Sequence, residues 1–144
     1  MKTMYDLRSL LPDLEYFIEN EYLQCYIRLI ERNRVTPQLG GRTNSHHIIP
    51  RSWFRMMNQE IDNSNNNLVN LIYRDHVLAH YYLCLCTTDN LLYANELALV
   101  CLISRKKLNS VDKQLVTRLP LYNKIYEDYR EKCNSGYKLY EENR

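Results

Sequence analysis

The chain has 144 residues, enough for one domain with a modest core, and 45% hydrophobic beside 25% charged residues is the balance of an ordinary soluble globular protein. Three glycines and four prolines argue against a loop-rich all-β fold, and no apolar run approaches the roughly 20 residues that span a bilayer. Net charge is only +2, but it is unevenly placed: Arg28, Arg32, Arg34, Arg42, Arg51, Arg55 and Arg74 face only Glu31, Glu60 and Asp62 across the middle of the chain. Every positive charge in that stretch is arginine, whose planar fork suits phosphate, and this points to a polyanionic partner.

In chain order, Pro12 opens a helical pattern, because proline is tolerated in a first turn. Leu14, Phe17, Ile18, Leu23, Tyr26, Ile27 and Ile30 then recur at near-helical spacing, which predicts a helix over 12–34. Pro37 and Gly40-Gly41 mark a turn. His46 to Pro50 reads as a short β-like piece, and residues 51–66 as a polar loop that Trp53 and Phe54 anchor to the core. Leu68 to Tyr73 alternates as a second strand.

From Asp75 the pattern is helical again, with His76, Ala79, His80, Leu83 and Cys84 at three-to-four spacing. A further helix fits Leu91 to Ser104, and Asn109-Ser110 resembles a new cap. Pro120 starts a last helix, presenting Leu121 or Tyr122, Ile125, Tyr126, Tyr129 and Cys133 and ending before Gly136. The expected fold is therefore α+β and mostly helical, one domain over 1–144. A small strand–strand–helix core over 46–80 is flanked by the N-terminal helix and by helices over 90–134.

The four histidines of the chain fall into two clusters, His46-His47 and His76 with His80. Imidazole serves both as a metal ligand and as a base near neutral pH. Adjacent strand residues point to opposite sides, so His46 and His47 divide two jobs, one facing a metal and the other a substrate. Four residues apart on a helix, His76 and His80 lie on one face, roughly 6 Å apart, and can grip one ion. Two helix histidines plus one from a facing strand give a three-histidine site with an open position, the catalytic rather than the closed structural pattern. The remaining strand histidine suits general-base work on water. The five cysteines (Cys25, Cys84, Cys86, Cys101, Cys133) form no C-x-x-C pair, so a four-cysteine zinc site is not expected. They read as small buried hydrophobes of a reducing compartment. The start of the chain lacks the apolar core of a signal peptide, which makes a cytoplasmic location the expectation.

His46-His47-Ile48-Ile49-Pro50-Arg51-Ser52, Asn67-Leu68-Val69-Asn70-Leu71 and His76-x-x-x-His80 together resemble the HNH endonucleases of the ββα-metal class. The small bacterial and phage-associated members and the nuclease domains of colicins are the most similar in these motifs. The resemblance covers residues 46–80 and implies a role for each motif residue. His47 is the general base, Asn67 holds the base imidazole in its productive orientation, and His46, His76 and His80 ligand one divalent metal. Mg²⁺ is the first expectation for that metal, with Zn²⁺, Mn²⁺ or Ni²⁺ as alternatives. Family members often place Glu two residues before the histidine pair, where this chain has Asn44. Arg51 and Arg55, followed by Arg42 and Arg74, are the candidates for phosphate contact.

The function that follows is a metal-dependent DNA endonuclease, in a bacterial or phage-infected cell. A metal-stabilised DNA-binding module that does not cut and an RNA-cutting toxin-like nuclease are the alternatives. DNA is the expected partner and no membrane is expected, while a homodimer or another protein partner stays open.

Overall fold

The computed structural model describes residues 6–36, 43–104, 114–115 and 118–136. Within them the chain is mostly helical, with one small two-stranded antiparallel sheet, an α+β fold. The expected turn at Pro37 and Gly40-Gly41, the cap at Asn109-Ser110 and Arg42 lie outside the described residues. Among the described residues no helix is long and apolar enough to cross a membrane.

The N-terminal part departs from its expected form. A short helix α1 (Leu7–Leu10) runs into a 3₁₀ turn (Leu11–Asp13) that carries Pro12. The chain then leaves helical geometry until α2 (Glu21–Val35). Tyr16 has a positive φ of 70°, and the following residues run beside the segment after Cys84, with Ile18 N donating to Cys86 O and Thr88 N to Tyr16 O. Asn20 explains the late start. Its side-chain oxygen accepts from Tyr22 N at 2.9 Å and Leu23 N at 3.0 Å, an N-cap that contributes about 1 kcal/mol. Apolar spacing extended the helix backwards because Leu14 and Phe17 also pack on the core, from a non-helical backbone.

β1 (Thr43–His47) pairs with β2 (Leu68–Ile72), with His46 opposite Val69 and His47 opposite Leu68. The strand thus lies earlier than the expected His46 to Pro50, and Ile48 and Ile49 are buried core residues beyond the ladder. Between them the expected loop opens with a helix, α3 (Arg51–Met56), whose Trp53 and Phe54 are buried as anchors. Trp53 Nε1 donates to Glu15 O at 3.0 Å, tying α3 to the N-terminal segment.

α4 (Tyr73–Cys84) follows β2 directly. Its Ala79 and Leu83 pack with α2 and the sheet in the larger core. Val77, Tyr81 and Cys84 pack in a second core with Leu99 of α5 (Asp89–Ser104) and Ile125 of α6 (Tyr122–Asn134). The first turn of α4 is held to α2 through buried Asp75, which accepts from Asn33 Nδ2 at 3.1 Å. α6 is tied to α5 by an ion pair of 2.7 Å between Lys132 and Glu96, the latter only 1% exposed.

α6 begins after Pro120 and ends before Gly136, whose φ of 79° suits a residue without a Cβ. Ile125 faces inward, but Cys133 is exposed, so it is not on the buried face the spacing suggested. Cys84 and Cys86 are buried, and all five cysteines are free thiols.

Candidate metal centre

The hairpin and α4 bring His46, His76 and His80 together. Their ring centroids form a near-equilateral triangle with sides of 5.3, 5.1 and 5.1 Å. One ligand nitrogen from each lies within 4.8 Å of the others, so the three residues can hold a metal ion. The alternation of β1 produces this arrangement: His46, 3% exposed, points inward toward α4, while His47 is only partly covered. On α4 the step of four residues stacks His76 and His80 on one face.

Burial sets the electrostatics. It lowers the His46 pKa well below the usual imidazole range, with His80, His76 and His47 adding to the effect. Burial likewise pushes His80 down to about 3, reinforced by His76 and opposed by the hydrogen bond to Asn95. Both rings are therefore neutral at physiological pH, the form with a lone pair to give a metal.

Each ring is also held from behind. His46 Nε2 lies 2.8 Å from the Tyr26 hydroxyl, His80 Nδ1 lies 3.0 Å from Asn95 Oδ1, and His76 Nδ1 lies 3.4 Å from Asn44 Oδ1. Asn44 thus stands beside one histidine of the triangle, at the position where the resemblance expects Glu. Tyr26 and Asn95 belong to α2 and α5 and escape sequence reading. Nothing distinguishes this tyrosine among thirteen, and Asn95 sits in a helix with no motif.

A cleft of about 340 Å³ opens over the triangle. His47, Arg51 and Arg55 line it together with His46, His76 and His80, and Ala94, Ala98 and Cys101 of α5 form part of its wall. Both arginines are exposed on α3, so the helix found in place of a loop delivers them, four residues apart, to one side of the cleft. Arg74 is exposed but is not among the cleft-lining residues. Two positions before His76, it is rotated by about 200° around α4.

Asn67 makes its side-chain hydrogen bonds elsewhere than at the His47 ring, where the resemblance implies them. It is fully buried, and its side chain bonds only backbone: Oδ1 accepts from Ile49 N at 2.8 Å, and Nδ2 donates to Ile49 O at 3.1 Å and Asp62 O at 3.0 Å. Buried backbone groups need partners, and Asn67 supplies them to Ile49 while also tying the loop at Asp62. The amide that meets the His47 ring is Asn63, whose Oδ1 lies 2.7 Å from His47 Nε2. Asn67 clamps Asp62, the residue before Asn63, so its influence on His47 is one step removed. In a stretch of asparagines no local signal separates position 63 from its neighbours.

In comparisons with known proteins, no family model, curated protein or solved structure matches this chain.

Proposed function

We propose that this protein is a metal-dependent endonuclease that hydrolyses phosphodiester bonds in DNA. The observation that carries the reading is the shared cleft: three histidines able to hold an ion, a fourth histidine beside them, and two exposed arginines on the same opening. The resemblance of residues 46–80 to the HNH endonucleases of the ββα-metal class agrees with it.

The donor set fits a bound metal. Three imidazole nitrogens suit Zn²⁺, Ni²⁺ or a similar late first-row ion better than Mg²⁺, which prefers oxygen ligands. We therefore place Zn²⁺ and its neighbours ahead of the Mg²⁺ first expected from sequence. When bound, the ion supplies positive charge that offsets what develops on the phosphate and on the departing 3′ oxygen.

The remaining work falls to the protein's own groups. With its Nε2 donating to Asn63 Oδ1, His47 keeps the lone pair on Nδ1. That nitrogen takes a proton from water while the water oxygen bonds to phosphorus. The bond from phosphorus to the 3′ oxygen breaks, and that oxygen leaves with the electron pair and gains a proton from solvent. Arg51 and Arg55 hold the phosphates flanking the scissile one and keep the attacking water in line.

The test is cleavage of supercoiled plasmid with Zn²⁺, Ni²⁺, Mn²⁺ or Mg²⁺, comparing wild type with His47→Ala and with EDTA. Nicked or linear product from wild type alone supports the reading. Intact plasmid under every ion points to a metal-stabilised DNA binder, and cutting restricted to RNA points to the toxin-like alternative. Equal cutting by His47→Ala removes His47 as the base.

A further inference from the structure

Two of the hydrogen bonds behind the histidine triangle are determined atom by atom. The hydroxyl of Tyr26 lies 2.7 Å from Ile48 O and 2.8 Å from His46 Nε2. A phenol has one proton, and a carbonyl oxygen can only accept. If the proton went to the histidine, two oxygens with no proton between them would face each other at 2.7 Å in a buried site. Tyr26 therefore donates to Ile48 O, and His46 Nε2–H donates to the phenol oxygen.

The same logic holds on α5. Asn95 Nδ2 donates to Leu91 O at 3.0 Å, which fixes the direction of the amide. Its Oδ1 then faces His80 Nδ1 at 3.0 Å and can be met only by an N–H. Asn95 and Tyr26 are both buried, so neither partner side chain is exposed to solvent.

We infer that Tyr26 and Asn95 are positioning residues that choose which nitrogen each histidine offers to an ion: Nδ1 from His46 and Nε2 from His80. The inference rests on reading the triangle as an ion site, and it is independent of whether DNA is cut. Hydrogen bonds from outside the ligand set fix ring orientation and tautomer in metal sites, and removing one typically costs 10–100-fold in affinity. Here the partners come from helices on either side of the hairpin and α4, so the choice of ligand atom is made by the surrounding fold. His76 has a longer contact, 3.4 Å to an exposed asparagine, and its tautomer is not fixed in this way.

The experiment uses metal-free protein labelled with ¹⁵N-histidine, whose long-range ¹H–¹⁵N spectra report the tautomer of each ring. An Nε2–H form at His46 and an Nδ1–H form at His80 are expected, and the opposite form at either residue overturns the assignment there. Co²⁺ and Zn²⁺ titrations then compare wild type with Tyr26→Phe and Asn95→Asp. Tyr26→Phe preserves the ring and removes the hydroxyl, so affinity should fall about 10–100-fold and the His46 spectrum should become a tautomer mixture. Asn95→Asp retains the acceptor toward His80 while giving up the donor to Leu91 O, so the folded variant should stay within a few-fold of wild type in affinity. A folded Tyr26→Phe that binds Co²⁺ as tightly as wild type overturns the role of Tyr26. If Tyr26→Phe does not fold, the wild-type spectra decide. Wild-type protein that shows both assigned tautomers but binds neither ion supports the tautomer assignment and removes the ion site.

Discussion

The floor and the rim of the cleft are built on opposite terms. On the floor, His46 and His80 are neutral because they are desolvated, and each is tied to a side chain from a helix outside the motif. At the rim, His47 is partly exposed and touches one asparagine of a loop, while Arg51 and Arg55 reach into solvent. A metal site gains affinity from rings that cannot turn, whereas groups that meet water and a phosphate chain must stay accessible. The contrast therefore separates holding an ion from performing chemistry, and substitutions should divide the same way.

The sharpest division is between His80→Ala and His47→Ala. Removing His80 leaves two ligands and should abolish measurable Zn²⁺ binding along with cleavage. Removing His47 should keep Zn²⁺ affinity within a few-fold while cleavage falls by roughly 10²–10⁴-fold, the usual contribution of a general base. Calorimetric titration beside a plasmid assay reads both, and a parallel loss of Zn²⁺ affinity in His47→Ala would erase the distinction.

Asn67 lies beneath the rim, and its replacement tests whether the loop depends on it. Asn67→Ala removes three hydrogen bonds to backbone, two of them buried, so unfolding free energy should drop by about 2 kcal/mol. Urea denaturation measures this. A loss below about 0.5 kcal/mol, within the range of an ordinary surface substitution, would mean the clamp is dispensable.

Acid should act on the floor. The folded pKa of His80 is about 3 and that of His46 is lowered in the same direction, while an unfolded histidine titrates near ~6.5. Below about 6.5 the unfolded chain binds protons that the folded chain refuses. The metal-free protein is thus at full stability above that pH and loses it progressively as pH falls toward the folded values. Urea midpoints in EDTA at pH 7.5 and pH 5 should differ, with the lower midpoint at pH 5; coincident midpoints would contradict the buried, neutral floor.

The smallest effects belong to the arginines. Arg51→Ala and Arg55→Ala should each weaken DNA binding and reduce the slope of log affinity against log salt by about one. Arg74→Ala, outside the cleft, should change neither quantity as much. An equal response from all three would show that the cleft does not define where DNA sits.

Much of this was legible in the sequence where a periodicity or a motif spoke for itself. The second strand, the helix bearing His76 and His80 and the convergence of three imidazoles follow from alternation and four-residue spacing. The first strand lies over Thr43–His47 and not His46 to Pro50, because β2 pairs with Thr43–His47 and leaves Ile48 and Ile49 to be buried beyond the ladder. The start of α2 was not legible, because Leu14 and Phe17 are apolar for the core in a backbone that is not helical, and only the cap at Asn20 sets the boundary. α3 was read as a loop because six residues are too few to establish a period. Tyr26, Asn63 and Asn95 act through contacts 15 to 20 residues away in sequence, which no local pattern encodes.

α4 has almost no side left over. Ala79 and Leu83 fill one core, Val77, Tyr81 and Cys84 fill another, and His76 and His80 face the cleft. Each residue of an α-helix advances its direction by about 100°. One residue inserted before Val77 would therefore turn everything after it out of phase with both cores, and would part the two histidines as well. α6, with Ile125 as its one fully buried side chain among the described residues, has far less to misalign. Changes of length should thus be tolerated toward the end of the chain and rejected within α4, whatever residues are used to make them.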